Sequence, residues 1–151
     1  MSVVVYRDGV LASDGRAYGG RAQCSPGAKA KVHRLPNGER VGVVSANLGE
    51  PERFIAWLST GGRPETWTGD KPDLRALRID AQGRIYLYED SIWPSGPISC
   101  EDFYAIGSGS DFALGAMACG ADAMAAVEVA IRFDPNCGGP VRALRQSEEP
   151  A

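Results

Sequence analysis

The apolar positions of the front half come in short, β-branched runs separated by turn residues. Val3-Val4-Val5-Tyr6-Arg7 and Val10-Leu11-Ala12-Ser13 flank Asp8-Gly9, and that dipeptide between apolar runs predicts a two-residue β-hairpin. Lys31-Val32-His33-Arg34-Leu35 and Glu39-Arg40-Val41-Gly42-Val43-Val44 flank Pro36-Asn37-Gly38, a second hairpin. Leu74–Ile79 and Arg84–Tyr88 flank Asp80-Ala81-Gln82-Gly83, a third. Tyr104-Ala105-Ile106 reads as a further short strand leading into Gly107-Ser108-Gly109-Ser110, and Asp134–Pro140 as a turn before a last one.

The period changes in three places. From Pro51 to Leu58, Phe54, Ile55 and Leu58 share one helical face, and Gly61-Gly62 stops the run. Asp111 to Cys119 begins after Ser110, an expected N-cap, and ends at Gly120. Asp122 to Phe133 carries Met124, Val127 and Ile131 on a stripe and breaks at Pro135. Hairpins first and an Ala/Gly-rich helix pair later describe an α+β layered domain, an α/β/β/α sandwich in which the short first helix covers the far side.

Hairpin register localises the charges. With Asp8-Gly9 as the loop, Arg7 pairs with Val10 and Val3 falls opposite Asp14. With Asn37-Gly38 as the loop, Leu35 pairs with Arg40 and Lys31 falls opposite Val44. Strict alternation places Ser2 and Asp14 on opposite faces, so a bulge or fraying is expected at the terminus.

The 151 residues suit one domain, taken as 1–145, with 146–151 as a disordered tail. Sixteen Lys and Arg against nineteen Asp and Glu give −3, which offers no basic field for nucleic acid. No apolar run is long enough for a membrane span, and the start lacks a secretory layout, so a cytoplasmic protein is expected. The four cysteines (Cys24, Cys100, Cys119, Cys137) form no close pair and His33 is the only histidine. That pattern predicts no metal site, with the cysteines as small apolar fillers. No cofactor motif occurs, and Gly107-Ser108-Gly109 is too short for a dinucleotide loop.

Ser2 becomes the first residue if Met1 is removed. A free α-amine has a reference pKa near 8 (roughly 7.7–8.0) and can take the proton from its own hydroxyl. A lysine nearby depresses that amine further and favours the developing oxyanion. Lys31 could serve so, with Asp14 holding it. Unaided, a Lys/Asp pair is more often a surface ion pair, and Ser108 and Ser110 are as readily a loop and a cap.

Together these residues resemble the proteasome-type N-terminal nucleophile hydrolases, including HslV and small phage-associated members. The matching stretches are Val4–Asp14, Ala30–Gly38 and Ala105–Ala113, followed by the Ala-rich closing helix, and the similarity runs in order over most of the chain. The resemblance implies the family's four-layer sandwich with one helical layer shortened, because Gly61–Gly69 is too broken for a second long helix. It implies Ser2 in place of the catalytic threonine, Asp14 and Lys31 as its partners, and Ser108 beside the terminal amine. Backbone N–H groups around Val44 and Ser45 would bind the oxyanion, where the family has a glycine. The implied activity is hydrolysis of peptides or unfolded protein, without cofactor, in a ring-like homo-oligomer with a possible ATPase partner. A retained Met1 would block that chemistry, and the alternative is an inactive subunit with an assembly role.

Overall fold

The computed structural model describes residues 2–17, 28–47, 49–98 and 102–146. In chain order these form β1 (Val4–Arg7), β2 (Val10–Ser13), β3 (Val32–Arg34), β4 (Arg40–Val44), α1 (Glu50–Ser59), β5 (Arg75–Ile79), β6 (Ile85–Glu89), β7 (Phe103–Ile106), α2 (Ser110–Ala118), α3 (Ala123–Phe133) and β8 (Arg142–Arg145). Two antiparallel sheets result, ordered β7-β1-β2-β8 and β3-β4-β5-β6. Between α1 and β5 the chain makes only a single 3₁₀ turn, Pro64–Thr66. No helix among the described residues is long and apolar enough to cross a membrane.

Three apolar clusters hold these elements. Val4, Tyr6, Leu11, Val32, Leu77, Ile79 and Ile106 pack between the sheets. Val3, Val5, Ala12 and Ala105 face the other way, onto Ala113, Met117, Ala126, Val127 and Ala130 of α2 and α3. β1 is thus covered on both faces, which is why its sequence is a continuous valine run instead of an alternation. Phe54, Trp57 and Leu58 of α1 cover Val41, Val43, Ala76 and Tyr88 on the outer face of the second sheet. Gly42 is the close-approach point between the sheets, where a Cβ would overlap the Val4 side chain.

The first hairpin has the expected register, Arg7 with Val10 through Val4 with Ser13. The second does not. Val32 pairs with Gly42 and Arg34 with Arg40, and Leu35 N–H bonds Glu39 O at 2.7 Å. The loop is therefore three residues, Pro36-Asn37-Gly38, with Gly38 at φ 88°. A type I turn followed by a left-handed glycine adds one residue over the two-residue turn. The shift places Lys31 opposite Val43, whose N–H donates to Lys31 O at 2.9 Å. The Asp80–Arg84 connection has the same geometry, with Gly83 at φ 80°.

The helix starts also differ from expectation in one case. Ser110 is the first residue of α2; Gly109 is the N-cap and no side chain caps it. A side chain at Gly109 would press on Cys137 Sγ, Ala130 and Val3, so packing excludes the residue types that normally cap. In α3 the fully buried face is Ala123, Ala126, Val127 and Ala130, while Met124 and Ile131 sit half-buried at its margins. Alanines let the helix lie close on the sheet. Asp122 caps α3, accepting from Ala125 N–H at 2.8 Å. Asp122→Ala should lower stability by about 1 kcal/mol, read as a lower denaturant midpoint with an unchanged slope.

Cys137 is buried, as expected of a filler, but Cys119 is exposed at the C-terminal cap of α2. Cys24 and Cys100 lie outside the described residues. Gln146 continues from β8, its backbone N–H bonding Gly9 O and its amide bonding Ala81 O; residues 147–151 lie outside the described residues.

Candidate active site

The open ends of β1, β2 and β4 converge with the loops that precede α2 and follow α3. β2 ends at Ser13, so Asp14 lies past the last regular ladder pair and is released from strand alternation. Its carboxylate folds back to accept Val3 N–H on Oδ1 at 3.1 Å and Gly138 N–H on Oδ2 at 3.1 Å. Lys31 Nζ donates to the same Oδ1 at 2.9 Å and to Ser2 Oγ at 2.7 Å. Lys31 is the link that joins two residues placed on opposite faces by strict alternation.

This group is shielded from water. Ser2 is 5% exposed, Asp14 0% and Lys31 7%. Burial pushes the Lys31 ammonium below the usual lysine value, and the charge and hydrogen bond of Asp14 act against that shift. The ammonium is thus short of solvent and directed at the Ser2 oxygen, where it favours negative charge.

A second chain of contacts reaches the Ser2 backbone. Ser2 N–H donates to Ser108 Oγ at 3.1 Å, and Ser108 Oγ–H donates to Asp134 Oδ2 at 2.7 Å. Gly109 N–H holds Ser2 O at 3.1 Å. Gly107 sits at φ 100°, and a Cβ there would run into the Ser2 carbonyl, so both conformation and space demand glycine. Asp134 also accepts Asn136 N–H at 2.9 Å and Cys137 Sγ–H at 3.3 Å. Burial raises its pKa, but the bonds from Ser108, Asn136 and Cys137 outweigh it and hold the carboxyl below its ordinary value. The Cys137 thiol is pushed up to about 12 by burial and by the Asp14 and Asp134 carboxylates, which leaves it inert as a nucleophile.

A carboxyl with a depressed folded pKa stabilises the fold above its unfolded pKa, and loses that contribution as pH falls through the folded value. Asp134→Asn should therefore lower stability at neutral pH by about 1–3 kcal/mol and flatten the acid limb. Denaturant titrations between pH 7 and pH 3 would check both.

Beside Ser2 opens a cleft of about 390 Å³. Gly107 and Ser108, which touch Ser2, line one part of it; Val44 and Ser45 line it together with their strand and hydrogen-bond partners Arg75 and Asp73, and Asp90 lines it too. The structure thus brings Ser2, Asp14, Lys31 and Ser108 into one bonded group, with Val44 and Ser45 at the rim of the same cleft. Sequence reasoning did not select Asp134, the Gly138 N–H or the cleft carboxylates. The Asp134–Pro140 segment reads only as a turn, and Asp73 and Asp90 lie at strand boundaries where an aspartate is an ordinary residue.

With two antiparallel sheets and helices packed on them, the chain has the fold of solved structures of the proteasome/HslV type. Solved structures to which the chain is similar include eukaryotic HslV from Trypanosoma brucei, 14% identical over 95% of this chain and 98% of that one, with TM-score 0.64. BPH from Thiobacillus denitrificans is 21% identical over 98% of this chain and 99% of that chain, TM-score 0.59. The same protein in complex with epoxomicin gives 20%, 97%, 99% and 0.58. At these identities the likeness is one of fold. No family model matches the chain, and no curated protein matches it.

Proposed function

We propose that the protein is a proteasome/HslV-like amide hydrolase whose nucleophile is Ser2, exposed by removal of Met1. The observation that carries this reading is the Ser2 Oγ–Lys31 Nζ–Asp14 chain, bonded at 2.7 and 2.9 Å at the edge of a cleft. Ser2 Oγ attacks the substrate carbonyl while its proton passes to the free α-amine. Lys31 stabilises the negative charge forming on Oγ, and Asp14 orients Lys31. Ser108, tied to Asp134, orients the amine. Backbone N–H groups around Val44 and Ser45 receive the oxyanion. Collapse breaks the amide bond, the amine returns the proton to the departing nitrogen, and water hydrolyses the Ser2 ester.

Peptides or unfolded chains are the substrates in this reading, and the chain works in the cytoplasm as a ring-like homo-oligomer, with an ATPase as a possible partner. The three apolar clusters support a four-layer α/β/β/α arrangement, thinned where Pro64–Thr66 replaces a second long helix. The test is intact mass of the protein purified from cytosol, before and after an epoxyketone inhibitor that reacts with a terminal hydroxyl and amine together. Loss of Met1 and a single adduct on Ser2 are expected. A retained Met1 with no adduct overturns the proposal in favour of a non-catalytic assembly subunit, and a monodisperse monomer by light scattering would remove the ring.

A further inference from the structure

The cleft beside Ser2 has a directional chemistry. On the proposed mechanism, on which this inference rests, the Ser2 amine hands its proton to the departing nitrogen, so the leaving half of the substrate must lie against that amine. Gly107 and Ser108 line the cleft, and Ser108 is the residue bonded to Ser2 N. The cleft therefore extends from the oxyanion rim at Val44 and Ser45 to the leaving-group side of the scissile bond.

Its charge is acidic. Among the described residues, Asp73 and Asp90 line it with a single cation, Arg75, and that guanidinium is taken by Glu89 at 2.8 Å. Neither Asp73 nor Asp90 has an ion-pair partner among the described residues. Asp73 is also held in place. Its Oδ2 accepts the Asn47 side-chain amide, its carbonyl accepts Ser45 Oγ–H at 2.7 Å, and its N–H donates to Glu50 Oε2 at 3.0 Å. Asn47 N–H closes the loop onto Ser45 Oγ at 3.0 Å. Asp90 is fixed by a left-handed backbone at φ 48° and by its N–H bonding Leu74 O at 2.8 Å. A carboxylate tethered this way presents its free lone pairs with little further ordering to lose. The Ser2–Lys31–Asp14 group adds no net charge, since its ammonium and carboxylate are paired.

We propose that Asp73 and Asp90 are specificity residues that select a lysine or arginine on the leaving-group side of the scissile bond. A cleft of about 390 Å³ holds one long side chain with its backbone. Both carboxylates are open to solvent, so the preference is moderate and weakens with salt.

The experiment uses internally quenched peptides identical except for the residue just after the scissile bond, set to Lys, norleucine or Glu. Beside them runs a fluorogenic amide whose leaving group carries no amino acid. The expected kcat/KM for Lys exceeds that for Glu by about tenfold, norleucine falls between, and the ratio shrinks in high salt. Asp73→Asn and Asp90→Asn, made separately, should each reduce the Lys-to-Glu ratio, and together bring it near one. Cleavage of every peptide at equal rates overturns this inference while leaving the hydrolase in place. A preference that survives both substitutions overturns it equally. No cleavage of any peptide or of the fluorogenic amide overturns the hydrolase reading and this inference with it.

Discussion

Ser2→Ala should abolish both amide hydrolysis and adduct formation, with kcat falling by about 10⁴-fold or more, while the protein stays folded. The oxygen removed is the acceptor of the 2.7 Å bond from Lys31 Nζ. Lys31 keeps its bond to Asp14, so no buried charge is left alone and the stability change is about 1 kcal/mol. The substituted methyl also fits the existing space, since Ser2 is already buried. Peptide hydrolysis and a thermal melt on the same preparation separate the two effects. Activity surviving the substitution would sink the assignment of the nucleophile.

Asp14→Ala is the second large effect and falls mainly on stability. The carboxylate is fully buried and satisfies three donors, Lys31 Nζ, Val3 N–H and Gly138 N–H. Its loss strands an ammonium that is only 7% exposed, for which breaking a buried pair costs about 3–5 kcal/mol. Lys31→Met should cost less, because two backbone N–H groups still hold the Asp14 charge. It should nonetheless be as inactive as Ser2→Ala. Denaturant midpoints ranked wild type, Lys31→Met, Asp14→Ala in falling order are expected, with both variants inactive. Equal midpoints for the two variants would mean that Asp14 answers only to Lys31, contrary to its N–H bonds.

The contacts that build the site are both local and distant, and the two kinds differ in how far they can be read from the chain. Asp8-Gly9 and the apolar runs beside it determine a register locally, so Asp14 is found near the chain's start without any knowledge of the second sheet. Pro36-Asn37-Gly38 misleads by one residue, because Gly38 takes the left-handed position of a three-residue loop. That single residue moves Lys31 from opposite Val44 to opposite Val43. Ser110 misleads for another reason: it has the chemistry of a cap, but the helix begins where only Gly109 fits against Cys137 and Val3.

The set of elements is legible in the chain, because strand runs, helical stripes and glycine turns each act over a few neighbouring residues. The sequence also indicated, through the family resemblance, which serine, lysine, aspartate and second serine to watch. That these residues meet is a property of the packed fold. Lys31 bridges Ser2 and Asp14 across 29 and 17 residues of chain, and Asp134 reaches Ser108 across 26. Such contacts depend on how two sheets and a helix pair dock, which is set by the summed burial of Val4, Leu11, Leu77 and their neighbours. Likewise, the acidity of the cleft comes from Asp73 and Asp90, which are distant in sequence and meet only when β5 and β6 lie side by side.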